Sequence, residues 1–508
     1  MVWRQARWDE KLAQEIKRSS LAPSIPYEDQ FLDVNIEIPG SIARKSLPEI
    51  PSLPEIEVVR HYTRLSQMSY GVDVGPVPLG SCTMKYNPKV MDIVAMDPRV
   101  VEAHPLQDED TVQGILEIIY TVERWLSEIT GMDKCVFQPP AGSAGELAGA
   151  LMIRKYHLDR GEQRDEMLIP DSAHGSNAAS AAMAGFKVLR IPTDPGGEVS
   201  IEALKAAVGP RTAGIMLTNP NTLGIFESRI LEISDIVHSA GGLQYYDGAN
   251  LNGIIGIARP GDMGFDIVHL NLHKTFATPH GGGGPGGGVV CAKGGLVDYL
   301  PRPLIEKKGD KYYWDYRCDR CIGCIRAFYG NIVPVIRTFV YIATLGPQGL
   351  REIAEISVLN TNYFIKRLLE KQYYELPYSP EKPRKHEVVI SASKIARETG
   401  VTAEDIAKAL LDEGLHAPTM YFPLIVGEAL MIEFTESEAR ENIDLYADTL
   451  NKIAERAYRN PEDVKKTPRN TSVSRLDLVR ANHPRTLIPS YRAYRRNQGG
   501  FGDSSPLK

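Results

Sequence analysis

Between about residue 90 and residue 335, short apolar runs alternate with amphipathic stretches, and this alternation restricts the chain to few folds. The runs are Met167–Ile169, Val188–Ile191, Gly214–Leu217, Gly242–Tyr246 and Ile267–Leu270. Helix-like segments lie between or before them at Ala141–Leu158, Ser200–Ala207 and Ile230–Ala240. Repeated strand–helix–strand alternation predicts βαβ units, an α/β class and a mostly parallel sheet. Such sheets bind ligands outside the carboxyl ends of their strands. The residues that end the apolar runs are therefore where chemistry is expected.

The flanking regions read differently. Residues 1–75 form an irregular N-terminal arm, because Pro23, Pro26, Pro39, Pro48, Pro51 and Pro54 interrupt any long element. A short helix is expected around Glu57–Met68. Residues 76–335 form the large domain. Residues 336–490, with apolar runs at Val388–Ile390 and Leu430–Phe434, read as a smaller α+β domain. Residues 491–508 read as a basic, loosely ordered tail. The 508 residues exceed what one hydrophobic core holds. A net charge of −6 argues against a generic nucleic-acid binder. No run approaches the ~18 apolar residues of a membrane-spanning helix. The N-terminus lacks the apolar segment of a secretory signal, and six cysteines are too few for a secreted disulfide scaffold. A cytoplasmic protein without membrane or nucleic-acid partners is expected.

Four residues stand where a ligand would meet the sheet. Lys274 follows the run Ile267–Leu270, and a lysine in a partly dry cleft can form a Schiff base. Asp247 ends the run before it and could hold a pyridine nitrogen protonated. Ser143 and Ala144 open a helix after Gln138-Pro139-Pro140-Ala141-Gly142, and helix N-termini bind phosphate. His174 follows another strand end and could stack on a ring. Each alone has an ordinary structural reading: a surface lysine, a turn aspartate, a helix cap, a packed histidine. Together, and in this order, they fit pyridoxal 5′-phosphate (PLP).

The chain resembles glycine decarboxylase, the P-protein family of the glycine cleavage system, in its PLP-bearing half or separate second subunit. The resemblance rests on Pro78-Leu79-Gly80-Ser81-Cys82-Thr83-Met84-Lys85-Tyr86-Asn87-Pro88, Gln138–Glu146, Asn219–Gly224, Asp247–Asn252, Asn271–Phe276, Pro279–Gly286 and Tyr421–Glu433, and spans about residues 55–485. It implies the type I, aspartate-aminotransferase-like PLP fold. It also implies decarboxylation of glycine and transfer of the aminomethyl group to the lipoyl group of an H-protein. By the same resemblance Lys274, His174 and Asp247 are the catalytic candidates. Ser143, Ala144, Asn219, Ala249, Asn250, His273 and Thr275 join them as cofactor-binding candidates, with His280 nearby. The implied partners are a first subunit, two copies of each making the assembly, and lipoylated H-protein. Another PLP-dependent decarboxylase or aminotransferase is the alternative within the chemistry. A non-catalytic assembly subunit is the alternative outside it.

Three features stand apart. Lys85 is a rival to Lys274 but lies in a loop rather than at a strand end, and its role is open. The run Gly281–Gly288 is too glycine-dense to signal dinucleotide binding and reads as a flexible loop. Cys318, Cys321 and Cys324 resemble part of a metal-ligand set. A structural site wants four ligands, so free thiols or a disulfide are expected and no metal.

Overall fold

The computed structural model describes residues 3–16, 38–45, 50–51, 53–281, 286–484, 486–488 and 490–500. Its main sheet has seven strands: β1 (Lys134–Val136), β2 (Glu166–Pro170), β3 (Lys187–Ile191), β4 (Thr212–Thr218), β5 (Leu243–Gly248), β6 (Ile267–Asn271) and β7 (Gly288–Ala292). They are ordered β1-β7-β6-β5-β4-β2-β3. β3, β2, β4, β5 and β6 pair in parallel, while β7 pairs antiparallel with both β6 and β1. The five apolar runs are the five parallel strands. Every residue of β4, β5 and β6 is buried, as in a sheet covered on both faces.

The expected helices also form, at Gly142–Asp159, Ile201–Ala207 and Ile230–Ser239. β1 and β7 were not among the runs read as strands. A disulfide between register partners Cys135 and Cys291 ties these two strands together.

A hairpin, β8 (Leu304–Lys308) and β9 (Lys311–Asp315), follows, and a three-stranded sheet lies later in the chain. Its strands are β10 (Glu387–Ser391), β11 (Thr419–Met420) and β12 (Ala429–Glu433), ordered β10-β12-β11. Two large apolar cores result. One surrounds the main sheet; the other joins β10 and β12 to helices Ala403–Asp412 and Arg440–Arg459. Helix Ile332–Leu369 belongs to both: Val335 and Ile353 pack in the first core, Phe364 and Leu368 in the second. Its course breaks at Gly346, whose φ is +64°.

By spatial grouping, residues 1–3 and 70–465 make one unit, and residues 4–69 and 466–508 another. In the second unit, helix Glu55–Gln67 starts directly after Pro54. Glu10 accepts from Arg64 Nη2 at 2.9 Å and lies 2.6 Å from His61 Nδ1. These partners, Arg64 first, hold its carboxyl down to about 2. The tail expected to be loosely ordered begins as a helix, Tyr491–Gly500, and residues 501–508 lie outside the described residues. Pro23, Pro26, Pro48 and Gly282–Gly284 also lie outside them. Among the described residues no helix is long and apolar enough to cross a membrane.

Candidate active site

The parallel register of β4, β5 and β6 sets Asp247 beside Thr218 on one side and His269 on the other. Asp247 is buried and surrounded by donors. Its Oδ2 accepts from Asn177 Nδ2 at 2.8 Å and from Thr218 Oγ1 at 3.3 Å. Its Oδ1 accepts from the Ala249 N–H at 3.0 Å and lies 3.5 Å from His269 Nε2. Burial alone would raise this carboxyl. His269, Lys274, Asn177 and the Ala249 N–H outweigh burial and hold it below its ordinary value. Asp247 is therefore a permanent buried anion at neutral pH. His269 is fixed at both nitrogens, 2.6 Å from Tyr245 Oη and 3.1 Å from Asn271 Nδ2. Burial first of all pushes it down to about 4.

Helix Gly142–Asp159 begins over the ends of these strands. Ala141 precedes it in extended conformation and no side chain caps its first turn. Its leading N–H groups are thus free of the usual internal partner, which is the setting for an anion. The helix can lie this close only because its inner face is glycine. A Cβ at Gly142 would stand 2.3 Å from Asn271 Oδ1, one at Gly145 2.9 Å from His269 Cβ, and one at Gly149 2.2 Å from the Tyr245 ring.

Between the helix and the strand ends lies a cavity of about 240 Å³. Seven of the candidate residues line it: Ser143, His174, Asp247, Ala249, Asn250, His273 and Lys274. Lys274 stands three residues beyond β6, half-buried, and makes no ion pair or side-chain hydrogen bond among the described residues. The imidazole of His174 caps helix Gly175–Met183, accepting from the Ser176 N–H at 3.2 Å, and meets Phe422 edge-on at 5.5 Å. His273 receives the Gly287 N–H at 3.3 Å, and burial first of all pushes it down to about 3.

Three candidates do not line the cavity. Asn219 is buried behind it: its Oδ1 accepts from the Glu227 N–H at 3.0 Å and its Nδ2 faces Met263 Sδ. Asn219, expected beside a cofactor ring, is thus not among the residues that line the cavity. Thr275 is likewise buried, its carbonyl accepting from Lys85 Nζ at 2.8 Å. Ala144 lies one residue past the lining Ser143. Lys85 itself is buried, with Nζ 2.8 Å from Glu436 Oε1, so its charge is committed to a structural ion pair. Cys318 and Cys321 form a disulfide and Cys324 is free and exposed, which breaks up the apparent three-thiol ligand set.

Sequence reading missed Glu146, Ser81, Ser176, Thr218, Thr222 and Asn271, all of which line the cavity. Glu146 was the most accessible of these, since it lies one helical turn after Ser143 on the same face. Its Oε1 accepts from Ser176 Oγ at 2.9 Å. Burial, and then the charge of Asp247, pushes it up to about 8.

Known proteins of the same pattern can be set beside this geometry. The chain is 57% identical over 518 aligned residues to "Probable glycine dehydrogenase (decarboxylating) subunit 2" of Aeropyrum pernix, covering 99% of both. The chain belongs to the glycine dehydrogenase (decarboxylating) subunit 2 family. A Thermococcus gammatolerans relative of the same name is 57% identical over 484 residues, covering 94% of this chain and 96% of its own length. The family profile described as "Glycine dehydrogenase, C-terminal domain" matches residues 353–475. A solved structure of glycine decarboxylase (P-protein) of the glycine cleavage system, in inhibitor-bound form, superposes with a TM-score of 0.66 at 21% identity. It covers 84% of this chain and 93% of that one. The glycine dehydrogenase subunit 2 fold here is thus the type I, α/β fold, with the cavity at the carboxyl rim of its parallel strands.

Proposed function

We propose that this chain is the cofactor-bearing subunit of a glycine decarboxylase and that its cavity holds PLP. The observation that carries the reading is the unpartnered Lys274 in the same 240 Å³ cavity as the uncapped helix start and the buried anion Asp247. The donor set fits the cofactor at three points. The N–H groups of Gly142, Ser143 and Ala144 would hold the phosphate, in a cradle that a Cβ at Gly142 would fill. Asp247 would keep a proton on the ring nitrogen. Lys274 would hold the aldehyde carbon. When bound, PLP supplies a sink for the electron pair left on the glycine Cα as CO₂ departs.

The protein's own groups do the rest. Asp247 is kept charged by four neighbours, so the ring proton has a fixed counter-ion and no reorganisation is needed as charge moves. His174, held by the Ser176 N–H, would limit the tilt of the ring. Glu146, neutral at pH 7 because of its burial, would avoid repelling the phosphate. Lys274 would take up a proton when glycine displaces it and return it later.

The name shared by the relatives implies a first subunit. We infer two copies of each, with lipoylated H-protein receiving the aminomethyl group, in the cytoplasm. The test is exchange of labelled bicarbonate into the carboxyl of glycine. Exchange is expected when the chain is mixed with its partner subunit, to rise with lipoylated H-protein, and to vanish in Lys274→Ala. No exchange in any mixture that holds PLP would overturn the reading.

A further inference from the structure

A second group of buried acids lies on the small sheet. The antiparallel register of β10 and β12 sets Glu387 directly opposite Glu433, and both are almost wholly buried, at 0% and 2% exposure. Like charges directly opposite on neighbouring strands repel, and a buried carboxylate without a paired counter-ion is destabilising. Among the described residues neither forms an ion pair. Lys85 is taken by Glu436, and the charge of Lys274 reaches both glutamates without pairing with either.

Hydrogen bonds account for only part of the group. Glu387 accepts from the Ser81 N–H at 2.8 Å and from Asn250 Nδ2 at 2.9 Å. Glu433 Oε2 accepts from the Thr83 N–H at 2.9 Å, while its Oε1 and the neighbouring buried Thr83 Oγ1 have no partner. His386 precedes Glu387 in the chain and is 0% exposed, and neither of its ring nitrogens has a hydrogen-bond partner. One nitrogen of His386 and one oxygen from each glutamate lie within 4.8 Å of one another. Each such unsatisfied buried atom is destabilising.

Two occupants could relieve this arrangement. A proton shared by the glutamates would satisfy Glu433 Oε1 and leave His386 as bare as before. One cation touching all three side chains would satisfy Glu433 Oε1 and a nitrogen of His386 and neutralise both carboxylates. One imidazole with two carboxylates suits Zn²⁺, Mn²⁺ or Fe²⁺. We propose that His386, Glu387 and Glu433 bind a divalent first-row transition-metal ion, which fixes the two carboxylates that hold the Ser81–Thr83 segment.

The segment gives the ion something to do. Ser81 and Thr83 have φ of +66° and +48°, in the left-handed region that side chains avoid. Their N–H groups end on Glu387 and Glu433 respectively. Ser81 and Asn250 line the cavity, and Glu387 holds both. The ion is thus a positioning element for two walls of the active site, and its binding stands whatever reaction the cavity performs.

The test uses the full chain, alone and with its partner subunit. It is stripped with a chelator, loaded with Zn²⁺ or Mn²⁺, washed, and its metal counted by plasma mass spectrometry. One ion per chain is expected. Glu433→Gln and His386→Ala should each weaken binding by roughly tenfold or more, while Glu146→Gln keeps the wild-type metal content. Anomalous scattering at the metal edge, from crystals of the wild-type chain, should place the ion between the three side chains and needs no variant. A metal-free wild-type chain, an anomalous peak elsewhere, or unchanged binding in a folded Glu433→Gln chain would overturn the proposal.

Discussion

Two buried trios, each of one histidine and two acids, meet opposite circumstances in this molecule. Glu146, Asp247 and His269 sit where a helix crosses parallel strands; His386, Glu387 and Glu433 sit on an antiparallel pair. In the first trio both oxygens of Asp247 and both nitrogens of His269 have partners drawn from several elements, and Glu146 Oε2 alone is bare. In the second, the histidine has none and one carboxylate oxygen is bare. Composition and burial are alike, so neither tells what a buried acid does. The difference lies in what the neighbouring elements can donate. A helix and loop over parallel strand ends deliver side-chain amides and free N–H groups. A segment laid across a two-strand register delivers two N–H groups, Asn250 adds one amide, and among the described residues no cation pairs with either glutamate.

The comparison can be broken at several points. The largest effect is expected from Lys274→Ala, which removes the cation whose charge acts on both trios. Bicarbonate exchange with the partner subunit present should fall by more than about a thousandfold, or roughly 4 kcal/mol, together with loss of the visible absorption of lysine-bound cofactor. Retained exchange would mean that Lys274 is not the attachment point. Asp247→Asn keeps the shape of the first trio but removes its charge. Exchange should drop by about a hundredfold or more, with PLP still retained on gel filtration, and an unchanged rate would show that the anion is not needed.

The next effect is one of pH. An unfolded Glu146 loses its proton near 4.5 and the folded one near 8, because burial and Asp247 oppose its charge. The unfolded state therefore binds fewer protons between these values, and its share of stability is complete below 4.5 and lost as pH rises towards 8. The slope is at most about 1.4 kcal/mol per pH unit for one proton. Melting temperatures of the wild type should fall across this window more steeply than those of Glu146→Gln; parallel curves would refute the shift. The smallest effect should come from Gly145→Ala, whose Cβ would meet His269 at 2.9 Å. A loss of about 1–3 kcal/mol on chemical denaturation is expected from overpacking.

Much of the first trio's surroundings was legible in the sequence, and the second trio was not. Lys274, Asp247, His174 and Ser143 announce themselves because each ends a strand run or opens a helix, and parallel topology collects such ends on one rim. Glu387 and Glu433 meet through an antiparallel register between segments far apart in the chain. No local periodicity encodes that pairing. Asn219 stays out of the cavity lining for a related reason: a position beside a strand end fixes the backbone, not the direction of the side chain, and Glu227 claims its oxygen. Lys85 stayed open until its partner Glu436 was visible, because a loop lysine in sequence carries no sign of burial. The cysteines divided along a line that spacing could not draw, with Cys135 and Cys291 joined across 156 residues.

The glycine face of helix Gly142–Asp159 has a consequence for how the molecule moves. With no side chains between helix and sheet, the first two turns rest on Asn271, His269 and Tyr245 almost backbone to side chain. No rotamer change can open a gap there, so the helix can leave only as a body. Amides beyond its first turn should then exchange with deuterated water only through large-scale opening, among the slowest in the chain. An anion docked on this end would be held by a part of the protein that scarcely breathes.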